Sequence, residues 1–414
     1  MTEAGLERLL SRAQAFEPSA HYDEALQDLE TVLRDARRAG LAAFEAAALL
    51  HRGRLLRIKG ELDTAEESAR AGASVFASLG DKGGQARALL VVAEVLSDRA
   101  SMVEFEQVSR EAMVLSQQIR DPSAEARSLT LLAVAYLYQG RLDQSALATQ
   151  QALEIYSAIQ DSRGIATTQL MLGRVEQTRG NVGAALRSLQ AASEVFGKLG
   201  EQRALSSVFL NVGQIYLEQR DIEAARVFAE RGVGLTGGSG DSAMYSRSLL
   251  LRAQVDLELG VFESAIAELR QAEIICREHG LTSVAPEVYR TLAQALLGVG
   301  QVEEARETAE RAVENASSDD PYSLGTTNLV RALVNERIGD AGEAERSFRT
   351  ALGYLQKANE TFELGWGHST FGSFLLSRGL RQEGLGELLL ARGAFVHLQA
   401  YARVLAIDAE IANA

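Results

Sequence analysis

The side chains able to do covalent or metal chemistry are few and scattered. Five histidines, His21, His51, His279, His368 and His397, show neither H-x-x-x-H spacing nor a cysteine pair, so no zinc-type site is expected. Cys276 sits beside Ile274 and Ile275 and reads as a buried, inert thiol; as the single cysteine it excludes an internal disulfide. Gly232, Gly234 and Gly237 spell G-x-G-x-x-G, but they follow a helical pattern, whereas dinucleotide binding needs a preceding strand. Glu303 and Glu304 are adjacent and point to different helix azimuths, which makes them poor acid and base partners. No catalysis, cofactor or metal is expected. What recurs is hydrogen-bonding capacity: Arg87 and Arg127 lie 40 residues apart, as do Gln214, Gln254 and Gln294. Arg54 and Arg174 fall in the column of those glutamines, Arg247 in that of Arg87, and Asn211 and Arg290 a helical step before Gln214 and Gln294. Guanidinium and amide groups so repeated could hold backbone carbonyls and fork onto carboxylates.

The same 40-residue period punctuates the whole chain. Gly60, Gly140, Gly180, Gly260 and Gly300 close one kind of turn, and Gly40, Gly80, Gly200, Gly240 and Gly280 close another, half a period out of phase. Helix, turn, helix, turn follows, and a two-helix unit that cannot bury its apolar face alone must stack on a neighbour. Small residues form a column at Gly53, Ala93, Ala133, Gly173, Gly213, Ala253, Ala293, Ala332 and Gly372, and a second at Ala65, Ser145, Ala185, Ala225, Ala265, Ala305 and Ala344. Small side chains there let two helix axes approach closely. Asp81, Asp121, Asp161 and Asp241 are expected helix N-caps. Pro18, Pro122, Pro286 and Pro321 all fall at turns or in first helical turns. Trp366 is expected to pack rather than to serve as a ligand platform. Near Ser317 to Pro321 the period slips by one residue, without marking a domain boundary.

These residues resemble the tetratricopeptide repeat. Its pattern is echoed by Phe209, Val212, Gly213, Tyr216, Ala225, Ala229 and Gly232, and by Leu129, Leu132, Ala133, Tyr136, Ser145, Thr149 and Ala152. The period exceeds the usual one and the closing proline is missing, as in the long-helix subclass of kinesin light chains, G-protein-modulator scaffolds and bacterial regulators. A HEAT-type array has a similar period but does not explain the two small-residue columns. The resemblance implies an all-α, right-handed superhelical solenoid of antiparallel helix pairs, nine to ten units long. One solenoid domain over 1–414 is expected, with units at roughly 1–40, 41–80, 81–120, 121–160, 161–200, 201–240, 241–280, 281–320, 321–360 and 361–399 and a capping helix at 400–414.

It also implies that the first helix of each unit lines a concave wall. On that wall would lie Arg54, Arg87, Arg127, Arg174, Asn211, Gln214, Arg247, Gln254, Arg290 and Gln294, a basic or neutral groove inside an outer shell rich in glutamate. The expected function is a non-enzymatic scaffold or adaptor that binds an acidic or polar peptide or protein segment in the groove. The alternative is a peptide- or ligand-sensing regulator of a transcription factor or kinase. Replacing Arg87, Arg127 and Arg174 together should then abolish partner binding.

A net charge of −14 argues against direct nucleic-acid binding, which depends on neutralising phosphates. No run of 18 apolar residues and no secretory segment occurs, so a cytoplasmic protein without membrane contact is expected. Val404, Leu405 and Ile407, followed by Asp408 and Glu410, suggest a terminal cap and hence a monomer or weak homodimer.

Overall fold

A computed structural model describes residues 2–16, 22–359 and 361–414. Pro18 and His21 lie outside the described residues. All regular structure among the described residues is helical, and it comes in alternating inner and outer helices. The inner set is α1 (Glu3–Phe16), α3 (Ala42–Lys59), α5 (Lys82–Asp98), α7 (Pro122–Tyr138), α9 (Ser162–Thr178), α11 (Gln202–Glu218), α13 (Ser242–Leu259), α15 (Ala285–Gly298), α17 (Pro321–Ile338) and α19 (Thr361–Ser377). The outer set is α2 (Tyr22–Ala39), α4 (Leu62–Ser78), α6 (Met102–Ile119), α8 (Leu142–Ala158), α10 (Val182–Leu199), α12 (Ile222–Thr236), α14 (Phe262–His279), α16 (Val302–Asn315), α18 (Ala341–Ala358) and α20 (Arg381–His397). A last helix, α21 (Tyr401–Asn413), packs on α20. Each inner helix packs on its own outer helix and on the next inner helix, the contact pattern of a tetratricopeptide-like solenoid.

Local chemistry sets these boundaries. The carboxylates of Asp81, Asp121, Asp161 and Asp241 accept from the amides of Gly84, Ala124, Gly164 and Met244, and Asp221, Asp320 and Asp340 cap three more helices in the same way. Pro122, Pro286 and Pro321 occupy first helical turns. The small columns are where the helices of one unit touch. A Cβ added at Gly173 would stand 2.7 Å from Leu189, and one at Gly372 would stand 3.0 Å from the Gly384 carbonyl oxygen. Ser145 Oγ joins the two columns directly, donating to the Ala133 carbonyl at 2.7 Å. Trp366 is half-buried and touches three neighbouring core clusters, a packing role. Gly232 and Gly234 belong to the last turns of α12, and Gly237 follows its end.

The solenoid curls until its second turn meets its first. Turns that end α3, α5, α7 and α9 abut the turns that follow α14, α16, α18 and α20. Ser317 Oγ donates to the Ala100 carbonyl at 3.1 Å across 217 residues, and Asn359 Nδ2 donates to the Gly140 carbonyl at 3.4 Å across 219. At Gly60 an added Cβ would lie 2.9 Å from His279 Cβ, and at Gly180 it would lie 2.7 Å from the His397 carbonyl oxygen. Five and a half units of the repeat therefore complete one circuit. Because inner-to-outer turns face outer-to-inner turns, the N-terminus of α4 looks at the C-terminus of α14, and α6, α8 and α10 stand likewise to α16, α18 and α20. Head-to-tail helix dipoles attract across this seam. The C-terminal helix closes it: Arg403 donates to the Glu218 carbonyl at 3.0 Å and pairs with Glu258 at 3.1 Å, while Gln219 donates to the Leu398 carbonyl at 3.0 Å.

Candidate functional site

The circuit holds a lumen of about 490 Å³, open in part to solvent, walled by α7, α9, α11, α13 and α15, and roofed by Tyr322, Phe362, Glu363, Ala358 at the end of α18 and the turn residue Leu398 of the second circuit. Each wall helix presents one face at helical spacing: Leu170, Met171, Arg174 and Gln177 on α9, Ser207, Asn211, Gln214 and Glu218 on α11, and Arg247, Leu250, Leu251 and Gln254 on α13. On α11 the adjoining face, with Val208 and Val212, is buried in the core. The hollow thus lies against the middle units, with residues of the second circuit over it.

Six of the ten sequence-nominated residues line it: Arg174, Asn211, Gln214, Arg247, Gln254 and Arg290. The other four do not. Arg87 is exposed, and Gln294 is half-buried on α15 away from the lining. Arg127 is tied to Glu94, which also pairs with Arg57 at 3.1 Å and feels the charge of Arg54. Burial pushes the Glu94 carboxyl up, but Arg127 and Arg57 more than offset this and hold it down to about 2. Glu94 stands in the same column as Arg54 and Arg174, and it neutralises the arginines of the early units. The triple replacement of Arg87, Arg127 and Arg174 would accordingly mix one lumen residue with a structural ion pair and a solvated side chain.

The lumen wall is charged but mostly balanced. Arg290, buried, pairs with Glu287 at 2.6 Å and reaches over α17 to Glu363 at 3.2 Å. Burial raises the Glu363 carboxyl despite the Arg290 charge. The Glu218 carboxylate accepts from Gln177 at 2.8 Å and Gln214 at 3.3 Å, and Asn211 donates to the Ser207 carbonyl at 2.7 Å. At the end of α7, Tyr138 lies under Arg174, whose guanidinium carbon is 5.3 Å from the ring centre. The charge of Arg174, opposed by burial and joined by Arg247, lowers the phenol from its ordinary value. Beside the wall, burial drives the Asp320 carboxyl up to about 6. His51 is held down at about 4 by burial and by Arg54 and Arg87, and its Nε2 meets Gln14 at 2.8 Å. Cys276 is buried, with its thiol pushed up to about 12 by that burial.

Sequence reasoning passed over Gln177 and Glu218, although both follow nominated residues at i+3 or i+4 on the same face, which was signal enough. Leu398, Phe362 and Glu363 gave no local signal, because only the circuit brings them to α11 and α15. No group of three or more histidine, cysteine, aspartate or glutamate side chains suited to a metal occurs among the described residues. No helix among them is long and apolar enough to cross a membrane.

Fold and chamber together define a class: a tetratricopeptide-type array curled around an internal polar cavity. Within that class, the chain belongs to the family described as the MalT-like TPR region, which it matches over residues 86–387. No curated protein matches the sequence significantly. Among solved structures, the chain is similar to a Rap protein complexed with competence and sporulation factor, with a TM-score of 0.63 and 14% identity over 89% of this chain and 99% of that one. It is also similar to the apo form of the quorum sensor NprR from B. thuringiensis, with a TM-score of 0.51 and 12% identity over 85% of this chain and 99% of that one. A STAND protein with a tetratricopeptide repeat sensor from Pyrococcus horikoshii gives a TM-score of 0.51 and 16% identity over 88% of this chain and 54% of that one. At such identities the likeness establishes a shared fold.

Proposed function

We propose that this protein is a non-catalytic sensor whose lumen takes a short peptide segment, and that occupancy alters its association with a protein target. The observation that carries the reading is the roofed chamber, with amide and guanidinium groups on three consecutive wall helices and Leu170, Leu210, Leu250 and Phe362 between them. Apolar walls with a few convergent polar groups are the common form of a ligand site. About 490 Å³ suits an extended segment of a few residues, which favours the sensing alternative over the scaffold. The Rap structure holds competence and sporulation factor, and NprR is named a quorum sensor; by analogy those roles add weight here.

The test is hydrogen exchange of the purified full chain with and without a pool of random hexapeptides, followed by recovery of retained peptides by mass spectrometry. Protection is expected on α9, α11 and α13. Protection confined to the outer cleft between α6 and α8, lined by Met113, Leu129, Leu132, Leu147 and Ile155, would instead support a scaffold that docks partners on its convex face.

A further inference from the structure

Four arginines of the inner wall and the seam come with their counter-charges. Arg57 and Arg127 share Glu94, Arg290 has Glu287 and Glu363, and Arg403 has Glu258. Arg174 and Arg247 break the pattern. Among the described residues neither pairs with a carboxylate: Arg174 lies over the Tyr138 ring, and Arg247 donates only a long hydrogen bond of 3.4 Å to the Ser283 hydroxyl. They stand on α9 and α13, two inner helices apart, and face the same hollow as Tyr138, whose phenol also feels the charge of Asp320. All three side chains line the same roofed cavity.

Two guanidiniums on the wall of one cavity repel each other, less screened than at the surface, and the carboxylates on the same wall are engaged elsewhere: Glu218 accepts from Gln177 and Gln214, and Glu287 and Glu363 pair with Arg290. An anion arriving from outside removes that penalty. A guanidinium forks onto a carboxylate through two parallel N–H donors, and a tyrosine hydroxyl adds a third donor to the same oxygens.

We propose that Arg174, Arg247 and Tyr138 form a cradle for a ligand carboxylate, supplied by the free C-terminus or an acidic side chain of the peptide. The proposal rests on the lumen being the peptide site and names the chemistry by which that site selects. Leu250 and Leu251 flank Arg247 and take the apolar side chain next to the bound carboxylate, while Asn211, Gln214 and Gln254 meet the peptide backbone.

Three hexapeptide pools separate the two sources: free C-termini without Asp or Glu, amidated C-termini with one Glu, and amidated C-termini without Asp or Glu. The wild-type chain is expected to retain the first or second pool at least tenfold over the third, and whichever is retained identifies the source. R174Q/R247Q is expected to level the pools, and R174K/R247K, which keeps charge but loses the fork, to lose several-fold. The unliganded glutamine variant is expected to melt at or above the wild-type temperature, because a repulsion has been relieved. Equal retention of all three pools by the wild type overturns the cradle and leaves the peptide-binding reading standing. If no pool is retained while succinate raises the melting temperature of the wild type and not of R174Q/R247Q, the cradle stands and the peptide reading falls. A lower melting temperature in the glutamine variant overturns the cradle, since it would mean that the two arginines are satisfied within the fold.

Discussion

Gly140 and Gly300 occupy the same turn four units apart, with φ of 71° and 78°, yet replacing each by alanine should have different consequences. A side chain at such positive φ costs about 1–2 kcal/mol through its own backbone. Ala100 adopts φ of 56° at the equivalent turn, so the fold tolerates that cost. A Cβ at Gly300 meets nothing within 4 Å, so the conformational cost is the whole effect. At Gly140 the new Cβ stands 2.7 Å from the Ala358 carbonyl oxygen and 2.9 Å from that of Lys357, both backbone atoms of the second circuit. Ordinary contact begins at 3.4 Å, so the circuits must part by roughly 0.7 Å there, which stretches the Asn359 to Gly140 hydrogen bond beyond use. Gly300→Ala is expected to lose about 1–2 kcal/mol in urea melts, and Gly140→Ala more than that, because the clash and the lost hydrogen bond add to the backbone cost. Only Gly140→Ala should also speed amide exchange in the turn between α18 and α19 and at the start of α8, and enlarge the radius of gyration in solution scattering. Matching exchange and scattering in the two variants would refute the closed seam and, with it, the roof over the lumen.

Between about pH 4 and pH 6 the folded Asp320 holds a proton that the unfolded side chain, ordinarily near 3.8, releases, so its contribution to stability falls as pH rises through that window. Asp320→Asn keeps the helix cap and removes the titration; the wild-type chain should lose on the order of 3 kcal/mol relative to that variant across the window, read from urea melts at each pH. Arg290→Ala should cost about 3–5 kcal/mol by stranding Glu287 and Glu363, and adding Glu363→Leu should recover part of it; an additive double variant would show that the two side chains do not interact. Cys276, buried with its thiol at about 12, should resist a thiol reagent at pH 8 until urea unfolds the chain, and rapid native labelling would contradict its place in the core. Arg403→Ala should loosen α21 first, seen as faster exchange from Tyr401 to Asn413 with the inner helices unchanged.

What could be read from the residue string was whatever repeats within a unit. Asp81, Asp121, Asp161 and Asp241 announced helix starts because a cap depends on a partner three residues away. Gly53 and Gly173 announced close packing because their neighbours, Ala69 and Leu189, lie in the same unit. Gly140 and Gly300 look alike in the sequence, by contrast, and only the second circuit distinguishes them. The lining was half legible for the same reason. Arg174, Gln214 and Gln254 follow from helical phase, but whether an inward arginine is answered depends on a residue such as Glu94 or Glu363, one or two units away. Glu94 and Glu287 are visible in the inward columns of the sequence, but the pairing of Glu94 with Arg57 and Arg127, and of Glu363 with Arg290, is set between units.

The repeat length and the closure of the chamber are one physical problem. Each unit turns its successor by a fixed angle, and the packing at the small-residue columns sets that angle. At five and a half units per circuit the turns before α4, α8 and α10 come beside the ends of α14, α18 and α20, so small changes at the columns carry directly to the seam. The seam itself is held by few and mostly polar contacts, Ser317 to Ala100, Asn359 to Gly140 and Gln219 to Leu398 among them, each of which water can replace at small net cost. The columns are buried and apolar, and their packing does not yield so easily. Opening is therefore expected to occur at the seam and not within the units. A ligand that bridges α9 and α13 would stiffen the angle between units, and Gln219, Glu218 and Leu398, which join the wall to the roof, would carry that stiffening to Arg403 and α21.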